Sequence, residues 1–373
     1  MKTVFQNIQS QSRVQKILTR FINTSKIPHA LLFTGIEGTG KDYIAIKFAQ
    51  ELNLKSGKTN DREKQVKLIS QLSEPYIKYV FPLPRGKNEN DESSPTEKLS
   101  SQVIELVQGE LKKKIENPYH RIIIPKANAI KINSIRDIKR FLSLDFSELN
   151  YRVIIISNAH LMNEPAQNAL LKNLEEPPAN VIFILTTTYP SRLRETIRSR
   201  CWNINFAPLA EEEVVNILRD FFGQDKEIAE SVAPFSDGSV QTALKLIDMD
   251  FYNLRETTIS ILRYSLGRKF NSAFDEVNKV MANQSADNIK LVIKMIITWL
   301  NDLQKHRYQL KKYFFKEHVE TLEKFNTKFP GVDLQNITFT LDKLSTLVKS
   351  NININLLTAN LIFELSALAA KKK

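Results

Sequence analysis

Gly35, Ile36, Glu37, Gly38, Thr39, Gly40 and Lys41 read G-x-x-x-x-G-K, directly between an apolar strand pattern, HALLFTG, and a helical one, DYIAIKFAQELNL. Glycines at such a junction let successive backbone N–H groups face a phosphate. The positive end of the helix adds to the attraction, and the lysine reaches the outer phosphates. The next position needs a hydroxyl to hold magnesium, but it is Asp42, whose carboxylate repels phosphate and fills the hydroxyl's place. The strand pattern VIII should end on carboxylates that bind metal and activate water. It ends on Ser157 and Asn158, and neither can act as a base. Residual anion binding by Gly35, Gly38, Gly40 and Lys41 fits this pattern, whereas tight magnesium-nucleotide binding and turnover are not expected. The glycines then serve mainly to pack the helix onto the sheet.

The elements that would position these groups alternate in type. An amphipathic start, SRVQKILTRFINT, precedes the strand and loop; later come RIIIP, the helical SIRDIKRFLSL, the strand RVIIIS, the helix EPAQNALLKNLEE and the strand NVIFILTTT. Short apolar runs separated by helices predict an α/β unit over residues 1–208, with a parallel sheet covered on both faces. Within it, GKNENDESSPTEKL at 86–99 is almost free of apolar residues and reads as a mobile insertion. After Pro208, LAEEEVVNILRDFF opens a small helical lid at 209–250, its glutamates favouring the positive end of a helix. Residues 251–373 carry apolar positions at helical spacing, with one break at Phe329, Pro330 and Gly331, and predict an all-α bundle. Lys371, Lys372 and Lys373 suit the negative end of its last helix.

The 373 residues are 42% hydrophobic, enough for a large core, and carry 53 basic against 41 acidic residues. The surplus is uneven: 1–208 carry a net +11, 209–250 a net −7 and 251–373 a net +8. A chain so charged suits an acidic partner such as nucleic acid. Cys201 is the only cysteine, so an internal disulfide is excluded and a reducing, cytoplasmic compartment is expected. No apolar run approaches the length of a membrane span, and none is expected.

Five motifs fall in one order: IPHALLFTGIEGTGK, NSIRDIKRFLSL, RVIIISNAHLMNEPAQNALLKNLEEPP, VIFILTTTYPSRLRETIRSRC and FSDGSVQTALKL. Together they closely resemble the clamp-loader branch of the AAA+ ATPases, and within it the delta prime type of bacterial DNA polymerase III. The resemblance covers residues 5–248; beyond them the chain is similar only in being helical. It implies a P-loop AAA+ sheet, a helical lid and an all-α C-terminal collar. In active members an Asp-Glu pair stands where Ser157 and Asn158 do, and a lid arginine where Gln241 does. The polar sensor falls on Thr187 or Thr188. The pattern is that of a ring subunit with no ATPase activity of its own, part of a DNA polymerase holoenzyme. Ser199, Arg200 and Cys201 match the motif that presents an arginine finger to a neighbour's nucleotide, a task suited to a permanently charged, forked donor. The implied partners are gamma/tau and delta-type subunits in a hetero-pentamer, the sliding clamp and primed DNA.

Clamp-loader subunits of this kind often hold zinc through four cysteines after the phosphate-loop helix. The interval 55–120 has none, with His120 the lone candidate ligand, so no zinc is expected. His29 and His160 read as structural, and His306 and His318 as parts of a solvated helical face. Two alternatives remain open. One is an active ATPase in which Asp42 binds metal and Glu164 or Glu175 acts as base. The other is a free-standing nucleic-acid-binding protein, disfavoured by the lack of interleaved aromatic and basic residues.

Overall fold

The computed structural model describes residues 10–56, 62–144, 149–281, 286–310, 312–347 and 353–368. Lys371, Lys372 and Lys373 lie outside them. The chain divides into two compact units, Met1–Gln224 with Gly238–Gln241, and Asp225–Asp237 with Thr242–Lys373. The expected 209–250 lid has residues in both units.

In the first unit, β1 (Ala30–Thr34), β2 (Ile77–Val80), β3 (Arg152–Ile156), β4 (Val181–Thr187) and β5 (Trp202–Asn205) form one sheet in the order β2-β3-β4-β1-β5. Every neighbouring pair is parallel. The central strands are buried throughout, as uninterrupted Ile, Val, Leu and Phe runs require when helices cover both faces. The helices of this unit include α1 (Ser12–Thr24), α2 (Lys41–Ser56), α3 (Arg62–Ser70), α4 (Ser101–Glu116), α5 (Ile132–Ser143), α6 (Glu164–Glu175), α7 (Glu195–Arg198) and α8 (Glu211–Phe222). Ile135, Ile138 and Phe141 of α5 and Ala166 and Leu170 of α6 fill one side of the core against Ile154, Ile156 and Phe183.

Two strands escape the sequence pattern, and one expected strand is absent. β2, IKYV, holds a buried Lys78 paired with Asp137, so its apolar run is broken by a charge. β5, WNIN, buries only Ile204. RIIIP instead forms an irregular segment in which Ile123 is 66% exposed and Ile124 packs on Phe81, Leu83 and Val107. The Ile123 N–H goes to the Glu110 carboxylate at 2.9 Å, which also accepts from Lys113 at 2.8 Å and contacts His120 Nε2 at 2.9 Å. Burial pushes Glu110 up, but those three bonds outweigh it and bring its pKa to about 2. The folded value lies below the ordinary 4.5, so the stabilisation is complete above that pH and lost as pH falls toward 2. Glu110→Gln should flatten the acid limb of a chemical-denaturation series between those values, by on the order of 2 kcal/mol.

The 86–99 segment carries no helix or strand, as its turn formers imply, but composition does not reveal its anchor. Glu89 is buried and accepts from Gly86 N at 2.6 Å, Lys131 Nζ at 2.7 Å and Asn133 Nδ2 at 2.7 Å.

The second unit is helical among the described residues. It contains α9 (Lys226–Val232), most of α10 (Val240–Asp248), α11 (Phe251–Leu266), α12 (Phe270–Val280), α13 (Ala286–Arg307), α14 (Val319–Lys328), α15 (Leu334–Leu347) and α16 (Ile354–Leu368). Trp299 of α13 is buried edge-on to Phe325 of α14, ring centroids 5.3 Å apart. No helix among the described residues is long and apolar enough to cross a membrane.

Candidate functional site

The phosphate-loop sequence links β1 to α2 as expected, yet it folds onto its own protein. Gly38 has φ +77°, and a Cβ there would stand 2.6 Å from Gln241 N and 2.8 Å from Val240 N. The chain at 240–241 thus rests directly on the loop. A Cβ on Gly40, φ +83°, would stand 3.1 Å from the Tyr119 ring. Gln241 donates from its side chain to Tyr119 O at 3.0 Å, and Tyr119 packs between Tyr43 and Phe221. Lys41 turns back to the loop, donating to Gly35 O at 3.0 Å and Ile36 O at 2.6 Å. Burial lowers its pKa to about 8 against the raising influence of Asp42 and Glu37.

Asp42 is the centre of the site. Its Oδ2 accepts from Tyr79 Oη at 2.8 Å and Ser157 Oγ at 2.8 Å, with Lys114 Nζ at 3.5 Å; its Oδ1 accepts from Thr186 Oγ1 at 2.7 Å. Four donors converge on a group with roughly four lone-pair sites. Burial would raise the Asp42 pKa, but Lys114 and the three hydroxyls outweigh it and hold the carboxyl below its ordinary range. Lys114, 5% exposed, also donates to Pro118 O at 2.7 Å and His120 O at 2.9 Å. Its pKa falls through burial, opposed by Asp42. A nucleotide-bound magnesium ion needs a free hydroxyl at position 42 and a carboxylate after β3. The residues present do not fit it: the carboxylate is turned inward, and an ammonium group sits against it.

Asn158, in the left-handed region at φ 53°, donates its backbone N–H to Thr186 Oγ1 at 3.3 Å. Thr186, next to the sensor candidates Thr187 and Thr188, is the strand residue that reaches Asp42. Thr187 instead shares a 3.0 Å hydrogen bond with His160 Nδ1. Burial, with Arg192, Lys41 and Arg121 nearby, lowers the His160 pKa to about 4. Tyr79, Lys114 and Thr186 were missed as site residues. Thr186 alone had a local signal, the polar end of an apolar strand.

Arg200 lies just beyond α7, 36% exposed in its side chain, with Nη2 at 3.0 Å from Glu175 and Nη1 donating to Thr196 O at 3.0 Å. Glu164 is likewise held by Arg194 at 2.9 Å. Both glutamates weighed as substitute bases are thus engaged by arginines. Burial raises the Cys201 thiol to about 12, which leaves it a poor nucleophile. Among the described residues no three His, Cys, Asp or Glu side chains are grouped to hold a metal ion.

The family model described as "DNA polymerase III, delta subunit" matches residues 10–210, more than half of the chain. DNA polymerase III subunit gamma of Buchnera aphidicola subsp. Schizaphis graminum is 28% identical over 265 residues, 68% of this chain and 62% of that protein. DNA polymerase III subunit tau of Bacillus subtilis is 26% identical over 65% of this chain and 37% of its own length. DNA polymerase III subunit delta' of Escherichia coli is 34% identical over 139 residues, 37% of this chain and 42% of that protein. The chain thus spans less than two thirds of each of these relatives. Among solved structures, a DNA polymerase III gamma subunit-related protein from Thermotoga maritima covers 97% of this chain and 100% of its own, with a TM-score of 0.46 and 16% identity. One continuous match takes in the loop, the ends of β3 and β4, and Arg200, and the chain belongs to the DNA polymerase III, delta subunit family.

Proposed function

We propose that this chain is a non-hydrolysing ring subunit of a DNA polymerase III clamp loader, of the delta prime type, acting in the cytoplasmic replisome. The observation that carries the reading is Asp42, whose carboxylate is engaged by Tyr79, Ser157, Thr186 and Lys114 where a magnesium-nucleotide site needs an open hydroxyl. Gln241, packed over the loop, adds support, since its side-chain amide is engaged by Tyr119 O and carries no charge to offer a phosphate. A delta' subunit is among the relatives, at 34% identity over 139 residues, although gamma and tau subunits match a longer stretch. In the ring the chain supplies Arg200 to the nucleotide of a neighbouring gamma/tau-type ATPase. Together with delta-type subunits it completes a hetero-pentamer that loads the sliding clamp onto primed DNA. The C-terminal bundle is the collar, and its exposed Phe339, Leu347, Leu356 and Phe363 suit packing against similar helices.

Reconstitution with the motor and clamp-opening subunits tests the assignment. Lys41→Ala in this chain should leave DNA- and clamp-stimulated ATP hydrolysis and clamp loading within about twofold of the unaltered loader, a difference worth roughly 0.4 kcal/mol. A collapse of either rate would contradict it.

A further inference from the structure

Residues 305–316, KHRYQLKKYFFK, contain five basic residues, no acidic one, and aromatics at 308, 313, 314 and 315. Aromatic and basic residues are thus interleaved here, contrary to expectation. α13 ends at Arg307, and in the connection to α14 residues 308–310 and 312–315 carry no helix or strand. The break is built by Asp302, fully buried, which accepts from Phe314 N at 2.7 Å and Phe315 N at 2.8 Å.

Two of the cations maintain that connection. Lys305 pairs with Asp302 at 3.1 Å and lies 3.8 Å over the Phe314 ring. Arg307 donates to Asn326 Oδ1, Val332 O and Phe329 O at 2.8–3.0 Å. Residue 311 lies outside the described residues and is left aside. Lys312 and Lys316 remain, both exposed and without a carboxylate partner among the described residues. With Tyr313 and Val319 they line an open groove of about 640 Å³. Nearby acids do not neutralise them: Glu317 is held by Arg255 at 2.8 Å, Glu320 by Lys324 at 3.2 Å, and Asp302 is buried.

The occupant must bring negative charge to two lysines and a flat apolar face to the tyrosine between them. A duplex offers the charge but keeps its base faces stacked away, and an acidic peptide offers the charge without a row of planar faces. Single-stranded nucleic acid offers both. We propose that the connection between α13 and α14 binds single-stranded nucleic acid, with Lys312 and Lys316 at phosphates and Tyr313 as a stacking platform. The inference does not rest on the ring assignment, because the isolated chain suffices to test it.

Fluorescence anisotropy of a labelled oligothymidylate with the purified full chain, over a salt series, is the test. Tyr313→Ala should weaken binding at least about fivefold, the lower end of what one stacked base contributes. Changing Lys312 and Lys316 together to Ala should reduce the slope of log affinity against log salt by about 1.4, for two lost phosphate contacts. Both lysines are exposed, so this variant keeps its fold, and changing the carboxylate-paired Lys226 and Lys279 should leave the slope as it was. No binding, or binding unaltered in both groove variants, would overturn the proposal. So would polyglutamate binding that needs the lysines but not Tyr313, which would make the groove a site for an acidic protein.

Discussion

Replacing Asp42 by Thr restores the full phosphate-loop pattern, yet it should lower the stability of the folded chain by about 3–5 kcal/mol and create no ATPase. The substitution removes one partner of a buried ion pair and leaves the Lys114 ammonium, 5% exposed, without its counter-charge. It also strips Tyr79, Ser157 and Thr186 of their acceptor, and each orphaned hydroxyl adds a desolvation cost. For a unit of this size the melting temperature should fall by roughly 10 °C. Adding Lys114→Met should recover most of the loss, since removing both charges is far less costly than removing one. The acid limb carries the same signature. The Asp42 pKa lies below its ordinary 3.8, so the stabilisation is present above that pH and lost as pH falls through the lower, folded value. The Thr variant should lose that part of the acid sensitivity. A melting temperature unchanged by Asp42→Thr would show that the network contributes nothing.

Arg200→Ala should act in the opposite way, with little effect on folding and a large effect on a partner. Arg200 is 36% exposed, and its pair with Glu175 is a surface one, worth about 0–1 kcal/mol. An arginine finger, by contrast, is worth about 10³ or more in the rate of the site it completes. Assembly with the other subunits should therefore proceed normally, while hydrolysis at the single nucleotide site facing this chain drops by about 10³. Glu175→Ala separates the roles, because it frees the guanidinium without removing it and should leave hydrolysis intact. Unchanged hydrolysis by the Arg200→Ala loader would refute the finger.

The sequence disclosed what local spacing encodes. The loop, the missing carboxylates at Ser157 and Asn158, and uncharged Gln241 all stand beside recognisable strands and helices. The partner that gives Asp42 its role was hidden. Lys114 comes 72 positions later in α4, among neighbouring lysines that remain exposed, and nothing in its local pattern marks it as the one that turns inward. The same physics governs the fold. Uninterrupted aliphatic runs gave β3 and β4, whereas β2 was obscured by Lys78, which the strand tolerates because Asp137 and Glu74 meet it. RIIIP has a strand's composition, but the Glu110 carboxylate captures the Ile123 N–H that a sheet ladder would have used. Side-chain partners distant in sequence decide these cases, and a one-dimensional pattern cannot show them.

The central claim is that Gly35 to Lys41 no longer form a working nucleotide site. It is tested most directly by ATP turnover of the purified chain with magnesium, measured beside its Lys41→Ala variant. Both proteins should show identical rates, at the level of buffer alone. Turnover by the unaltered chain that disappears in Lys41→Ala would contradict it.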